Sequence, residues 1–169
     1  MKLRPRAKVR ADLISCGIPI EEAEVLCDGA TLSSVSTPTA GAWVKTSPQC
    51  DIVISVAAQE MLFAKAIIPM VANVVRIINK LDVVAAYGSS PGWEDIDPKI
   101  RAMLVDWIYR GDFTPETRKD IMPAVVKNSV SDLADVVEDR ELWRLVPPDR
   151  FHRRVAYFKN QEASRVTPI

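Results

Sequence analysis

Residues 97–158 contain a series of helix-start signals, each followed by apolar residues at helical spacing. The signals are Asp97-Pro98, Thr114-Pro115, Ser131 and Pro147-Pro148-Asp149. A short polar side chain before a helix accepts a backbone N–H of the first turn, and proline is tolerated at the first helical position. The pattern predicts an all-α (mainly α) fold, with a helical lobe and little or no strand.

The first predicted helix of this lobe begins after Asp97, continues through Tyr109 and is ended by Gly111. Thr114 is predicted to cap the next helix, and Ser131 a short one. The last helix is expected to start at Pro147-Pro148-Asp149. The expected buried residues of the four helices are Ile100, Met103, Leu104, Trp107, Ile108, Ile121, Met122, Val125, Val126, Leu133, Val136, Val137, Phe151, Val155 and Phe158.

Residues 52–80 are the most apolar region, and their apolar residues also recur at helical spacing. Pro69 predicts a kink within this helix. Its polar residues are too few to cover an exposed cylinder, so a long, largely buried central helix is expected. Lys65, Asn73 and Arg76 interrupt the apolar run and argue against a membrane span.

The charges of the chain balance, at 22 Lys+Arg and 22 Asp+Glu. No net field directs the protein toward nucleic acid or an anionic membrane, and nucleic acid is not an expected partner. Five cations within residues 1–10 predict a flexible or partner-bound arm, although a solvated basic face is the alternative. Cys16, Cys27 and Cys50 lack CxxC spacing and His152 is the only histidine, so no disulfide framework, metal or cofactor is expected.

The expected organisation is a basic arm over residues 1–11, a single helical domain over 12–162 and a C-terminal tail over 163–169. Within the domain, IEEAEVLC after Pro19 predicts a short helix that buries Ala23, Leu26 and Cys27. Residues 30–50 are rich in Ser, Thr and Pro and predict a connector. The basic amino terminus lacks the long apolar core of a signal peptide. The sequence assigns no compartment.

Several stretches together resemble phage-type lysozymes, and particularly their pesticin-like branch. IRAMLVDWIYRGDFTPETRKDI is similar to the family's buried helix, glycine stop and following capped helix. RELWRLVPPDRFHRRVAYF resembles its Trp, short loop and basic terminal helix. RADLISCGIPIEEAEVLCDGA is similar to the helix after the catalytic hairpin, and residues 54–80 to the long helix between lobes. An unrelated helical bundle with the same capping residues is the alternative.

The resemblance implies a protein related to enzymes that cut the glycan strand of peptidoglycan. In those enzymes a glutamic acid protonates the leaving oxygen, and it precedes a β-hairpin that carries an aspartate and a threonine. This chain is expected to begin just after that hairpin, and Glu21, Glu22 and Glu24 lie in the next helix of the pattern. No catalytic residue is therefore assigned.

The turn after the first lobe helix faces the substrate cleft in the family. The resemblance makes Tyr109, Arg110, Asp112 and Thr114 the candidate sugar-binding residues. The plainer interpretation is a helix terminus with a salt bridge to Asp112 from Arg110 or Arg118.

An acidic cluster near Trp93, formed by Glu94, Asp95 and Asp97, is open to two interpretations. It is typical of a solvated turn followed by an N-cap. An acid pair beside an aromatic ring can also cleave sugar, for example Glu94 acting with Asp112.

Three hypotheses of function follow. The first is a lysozyme-like, peptidoglycan-associated protein of phage or toxin origin, inactive by itself or receiving its catalytic segment from another chain. The second is a structural or assembly protein, such as a virion component, that reuses the fold. The third is a hydrolase with displaced acids. Expected partners are peptidoglycan glycan and other protein chains bound through the basic arm and the C-terminal tail. A virion-associated protein or one delivered to the periplasm would fit the first two hypotheses.

Overall fold

The structure is a computed structural model that describes residues 5–28 and 51–159. Within these ranges there are eight α-helices and no strand, which confirms the all-α class. In chain order they are α1 (Arg6–Ser15), α2 (Ile20–Asp28), α3 (Val56–Ile78), α4 (Leu81–Tyr87), α5 (Pro98–Arg110), α6 (Arg118–Lys127), α7 (Val130–Glu138) and α8 (Pro148–Lys159).

The chain divides into two compact units, residues 1–68 and 69–169, where the sequence predicted one domain. The boundary falls at Pro69 within α3. The two ends of α3 contribute to different cores: Ala58 packs in unit 1, whereas Val74 and Ile78 pack in unit 2. Each unit therefore has a hydrophobic core of its own.

In unit 1, cations that were predicted to lie in a flexible arm belong to α1 and pair with α2. The Arg6 guanidinium lies 3.0 Å from a Glu24 carboxylate oxygen and 2.9 Å from one of Asp28, and Arg10 pairs with the same Glu24. The acids of α2 thus neutralise Arg6 and Arg10, two of the five cations that suggested an arm. Ala23 and Cys27 of α2 are fully buried, as predicted, whereas Leu26 is only half-buried. Residues 1–4, the connector and the C-terminal tail lie outside the described residues.

The prediction that α3 is largely buried is wrong. None of residues 59–73 is buried, and Met61, Phe63 and Ile68 are exposed large apolar side chains. The number of polar residues in a helix does not determine how many other helices pack against it. Among the described residues of unit 1, only α1 and α2 lie close to α3, so most of its surface stays uncovered. Pro69 lies inside the helix without ending it.

By length and composition alone, α3 is the one helix of the described residues that meets the criteria for a membrane span. Its ends pack in the cores of the two units, through Ala58 at one end and Val74, Ile77 and Ile78 at the other. We retain the prediction that it does not cross a membrane.

The core of unit 2 is built around α5 much as its sequence predicted. Asp97 accepts a hydrogen bond from the Lys99 backbone N–H at 2.8 Å, and Ile100, Met103, Leu104 and Trp107 are buried. The helix ends at Gly111, whose φ of 78° lies in the left-handed region that glycine favours. The short α4, which contributes Val83 to the core, was not predicted.

Two predicted caps are displaced by a few residues. The N-cap of α7 is Ser129, which accepts from the Asp132 N–H at 3.2 Å, and the predicted Ser131 lies inside the helix. Helix α6 begins at Arg118 after a turn that two threonines close. The Thr114 hydroxyl accepts a hydrogen bond from the Thr117 backbone N–H at 3.2 Å, and the Thr117 hydroxyl accepts one from the Thr114 backbone N–H at 3.0 Å. Each region offers two hydroxyls within one turn, and their spacing alone does not select between them.

A candidate ligand groove between α5 and α8

Unit 2 contains a groove of about 380 Å³ between α5 and α8. Its floor and walls combine aromatic rings with charged side chains. The residues that line it are Ala102, Met103, Asp106, Tyr109, Arg150, Arg153, Arg154 and Tyr157.

Arg154 is the buried charged residue of this groove, with only 6% of its surface exposed. Its Nε donates a hydrogen bond to the Asp106 carboxylate at 2.8 Å, and its Nη2 donates to Asp112 at 2.6 Å. A guanidinium withdrawn from water is costly unless carboxylates and hydrogen bonds compensate it. Asp106 and Asp112 therefore hold Arg154 in a defined position.

The end of α5 brings Asp112 to Arg154. After the left-handed turn at Gly111, the backbone N–H of Asp112 donates to the Trp107 carbonyl at 2.8 Å. This bond turns the chain back over the helix end, so that the carboxylate of Asp112 lies near that of Asp106.

An aromatic stack lies beside Arg154. The rings of Trp107 and Trp143 are 5.3 Å apart and inclined by 14°, and the Arg154 guanidinium carbon lies 5.6 Å from the centre of the Trp143 ring. The Trp143 indole N–H donates to the Val136 carbonyl at 2.7 Å, which fixes the ring plane. The Trp143 ring and the two carboxylates thus both fix the position of the Arg154 guanidinium.

Several donors around the groove have no partner among the described residues. They are the hydroxyls of Tyr109 and Tyr157, the Arg150 guanidinium and the buried Nη1 of Arg154. Burial, with a smaller contribution from the nearby charge of Asp97, raises the pKa of Tyr157. Its hydroxyl therefore stays protonated at neutral pH and can donate to a ligand.

Arg153 differs from Arg150 because it is already paired. Its Nη2 lies 2.6 Å from a carboxylate oxygen of Asp149, four residues earlier on α8. The backbone N–H of Arg150 and the Arg153 guanidinium lower the pKa of Asp149, so this carboxylate remains ionised at neutral pH.

Of the four predicted sugar-binding residues, the structure places two at the groove and two away from it. Tyr109 lines the groove, and Asp112 holds the arginine beneath it. Arg110 is exposed and does not line the groove, and Thr114 bonds with Thr117 instead. The partner of Asp112 is Arg154 rather than Arg110 or Arg118.

The acid pair suggested by the third hypothesis is not brought together. Glu94 pairs with Arg101 in the first turns of α5, whereas Asp112 follows the opposite end of that helix. At 1.5 Å per residue the two ends of this 13-residue helix are separated by about 18 Å. The two carboxyl groups of a glycosidase lie about 5–10 Å apart, so the spacing does not suit hydrolysis.

Sequence reasoning missed Arg154, Arg150, Asp106 and Tyr157. A signal for Arg154 was present, since it shares the buried stripe of α8 with Phe151, Val155 and Phe158 at spacings of three and four residues. An arginine in an apolar stripe requires buried acids. Within the described ranges, no group of three or more His, Cys, Asp or Glu side chains is placed to hold a metal ion.

One protein family matches most of the chain. It is described as a domain of unknown function (DUF8812), and the match covers residues 1–155. No curated protein and no solved structure matches the chain significantly.

Proposed function

We propose that this chain, which belongs to the family described as a domain of unknown function (DUF8812), is a lysozyme-like, peptidoglycan-associated protein that binds glycan in the groove of unit 2 without cleaving it by itself. The observation that carries the proposal is the set of unpartnered donors around Tyr109 and Tyr157. Support also comes from the sequence resemblance, which selected Tyr109 and Asp112 independently of the groove.

The lining of the groove suits a sugar. The apolar face of a pyranose ring packs on tyrosine rings, and its hydroxyls accept from fixed hydroxyl and guanidinium donors. The volume of about 380 Å³ lies within the range of small-ligand sites. A groove of this kind accommodates part of a glycan strand.

Binding without hydrolysis follows from what the acids of the groove do. Asp106 and Asp112 both accept hydrogen bonds from Arg154. A general acid must donate a proton to the leaving oxygen of the sugar, and these carboxylates already bind one guanidinium. We therefore propose no reaction at this site.

The test is a peptidoglycan pull-down beside a turbidity assay on the same purified chain. We expect the protein to sediment with insoluble peptidoglycan and the suspension to remain turbid. Tyr109→Ala should reduce binding about tenfold, since ring stacking and a hydroxyl contact are both lost. Phe63→Ala is the matched control, because Phe63 is as exposed as Tyr109 (67% against 65%) but lies on α3 of unit 1. Equal binding by both variants, or lysis by the wild-type chain, would contradict the proposal.

The exposed apolar side chains of α3 favour a second candidate function, a structural or assembly role. Large exposed apolar patches mark contact surfaces in proteins. Under this proposal Phe63→Asp weakens self-association or attachment to a partner particle, measured by analytical ultracentrifugation, and Tyr109→Ala does not. A monomeric wild-type chain that attaches to no particle would remove this candidate.

A further inference from the structure

We infer that the groove recognises a carboxylate group on its glycan, and that Arg150 is the residue that binds it. This inference rests on the proposed function and specifies the chemical class of the ligand. It concerns a residue outside the set to which the sequence resemblance pointed.

The distribution of charge identifies Arg150. Three guanidinium groups and one carboxylate line the groove. Arg154 forms ion pairs with both Asp106 and Asp112, and Arg153 forms one with Asp149, so both of these arginines have direct carboxylate partners. The positive charge of Arg150 has no partner among the described residues.

The position of Arg150 suits a bound anion. It lies in the first turn of α8, four residues before Arg154, so both side chains are on one helix face. Arg150 is half-buried. A half-buried charge is less screened by water than a fully exposed charge, so it attracts an opposite charge more strongly. The fork of a guanidinium matches the two oxygens of a carboxylate.

Other donors would complete the site. Tyr109 and Tyr157 line the same groove, and their hydroxyls donate to no described residue. A carboxylate accepts several hydrogen bonds, whereas a neutral sugar hydroxyl uses fewer of these donors. A sugar that carries a carboxylate therefore satisfies the groove better than a neutral sugar does.

The experiment compares three probes by isothermal titration calorimetry on the full chain. They are peptide-free glycan strands whose muramic acid carboxylates are free, the same strands with those carboxylates converted to methyl esters, and neutral N-acetylglucosamine oligomers. We expect the wild-type chain to bind the acid form about tenfold more tightly than the ester, as loss of a charged hydrogen bond predicts.

The decisive variant is Arg150→Gln, which should bind the acid and the ester equally while keeping the wild-type affinity for the ester. Arg150→Lys retains the charge without the fork and should keep part of the preference. Arg144→Gln is the matched control, since Arg144 is exposed and pairs with Glu141 outside the groove.

The outcomes separate this inference from the proposed function. If the wild-type chain binds all three probes equally, or if Arg150→Gln retains the preference for the acid, the inference is overturned and glycan binding stands. If no probe binds, the proposed function fails as well. An equal loss of acid and ester affinity in Arg150→Gln would also overturn the inference, because it would show that Arg150 contacts the sugar rather than the carboxylate.

Discussion

Replacing Arg154 by methionine should be among the most destabilising single changes in unit 2. The substitution keeps an unbranched side chain but removes the guanidinium, and Asp106 and Asp112 lose their common partner. Removing one member of a buried ion pair costs about 3–5 kcal/mol, because the remaining charge is left without compensation.

The structure reduces that figure for this site. The side chains of Asp106 and Asp112 are 39% and 22% exposed, so water can partly rehydrate both carboxylates once Arg154 is gone. We take about half of the buried value, roughly 2 kcal/mol. Loss of the contact with the Trp143 ring adds about 0.5–1 kcal/mol. The expected loss in the free energy of unfolding is therefore about 3 kcal/mol.

The assay is urea denaturation of the full chain followed by tryptophan fluorescence, since Trp93, Trp107 and Trp143 all lie in unit 2. Arg153→Met is the matched control: it makes the same chemical change one residue away, at a side chain that is 79% exposed. Its surface pair with Asp149 should contribute no more than about 0.5 kcal/mol. Equal midpoints for the two variants would refute the conclusion that the Arg154 ion pairs are buried and structurally important.

Two further predictions concern other contacts. Arg10 and Arg6 lower the pKa of Glu24, so ionised Glu24 stabilises unit 1 above the usual carboxyl pKa, and this contribution is lost as the pH falls through the lowered pKa. The melting temperatures of the wild type and Glu24→Gln should therefore differ at pH 7 and converge as the pH falls below the lowered pKa of Glu24. A constant difference would contradict the pairing. Asn128 has a φ of 52°, and its side chain accepts a hydrogen bond from the Asp97 backbone N–H at 2.8 Å. Asn128→Ala should lower the free energy of unfolding by about 2 kcal/mol, and Asn128→Gly should lower it by less, because glycine tolerates that φ. Equal losses for the two variants would show that backbone strain makes no contribution.

The parts of unit 2 that the sequence predicted well depend on neighbouring residues. Asp97 before Pro98 and Gly111 after Arg110 define the ends of α5 locally, and the apolar spacing between them identifies the buried face. The caps predicted for α6 and α7, Thr114 and Ser131, are displaced because more than one hydroxyl is available within a turn.

The parts that the sequence did not predict depend on contacts distant in the chain. The burial of α3 is set by how many helices pack on it, which composition does not specify. The groove requires α5 and α8 to meet, and local patterns do not show that Arg154 would find Asp106 and Asp112. Only Tyr109 and Asp112 of the site were selected in advance, through the turn that contains them.

The pairing of Arg154 with acids 48 and 42 residues earlier also bears on how the protein is made. During synthesis, Asp106 and Asp112 leave the ribosome well before α8, and they have no arginine to bind until residues 148–159 follow. A nascent chain that has reached only Pro147 would contain α5 without one wall of the groove and without the guanidinium beside Trp143. Unit 2 therefore completes its fold only after residues 148–159 have left the ribosome, and a ribosome stalled before α8 would present a chain in which the groove is not yet formed.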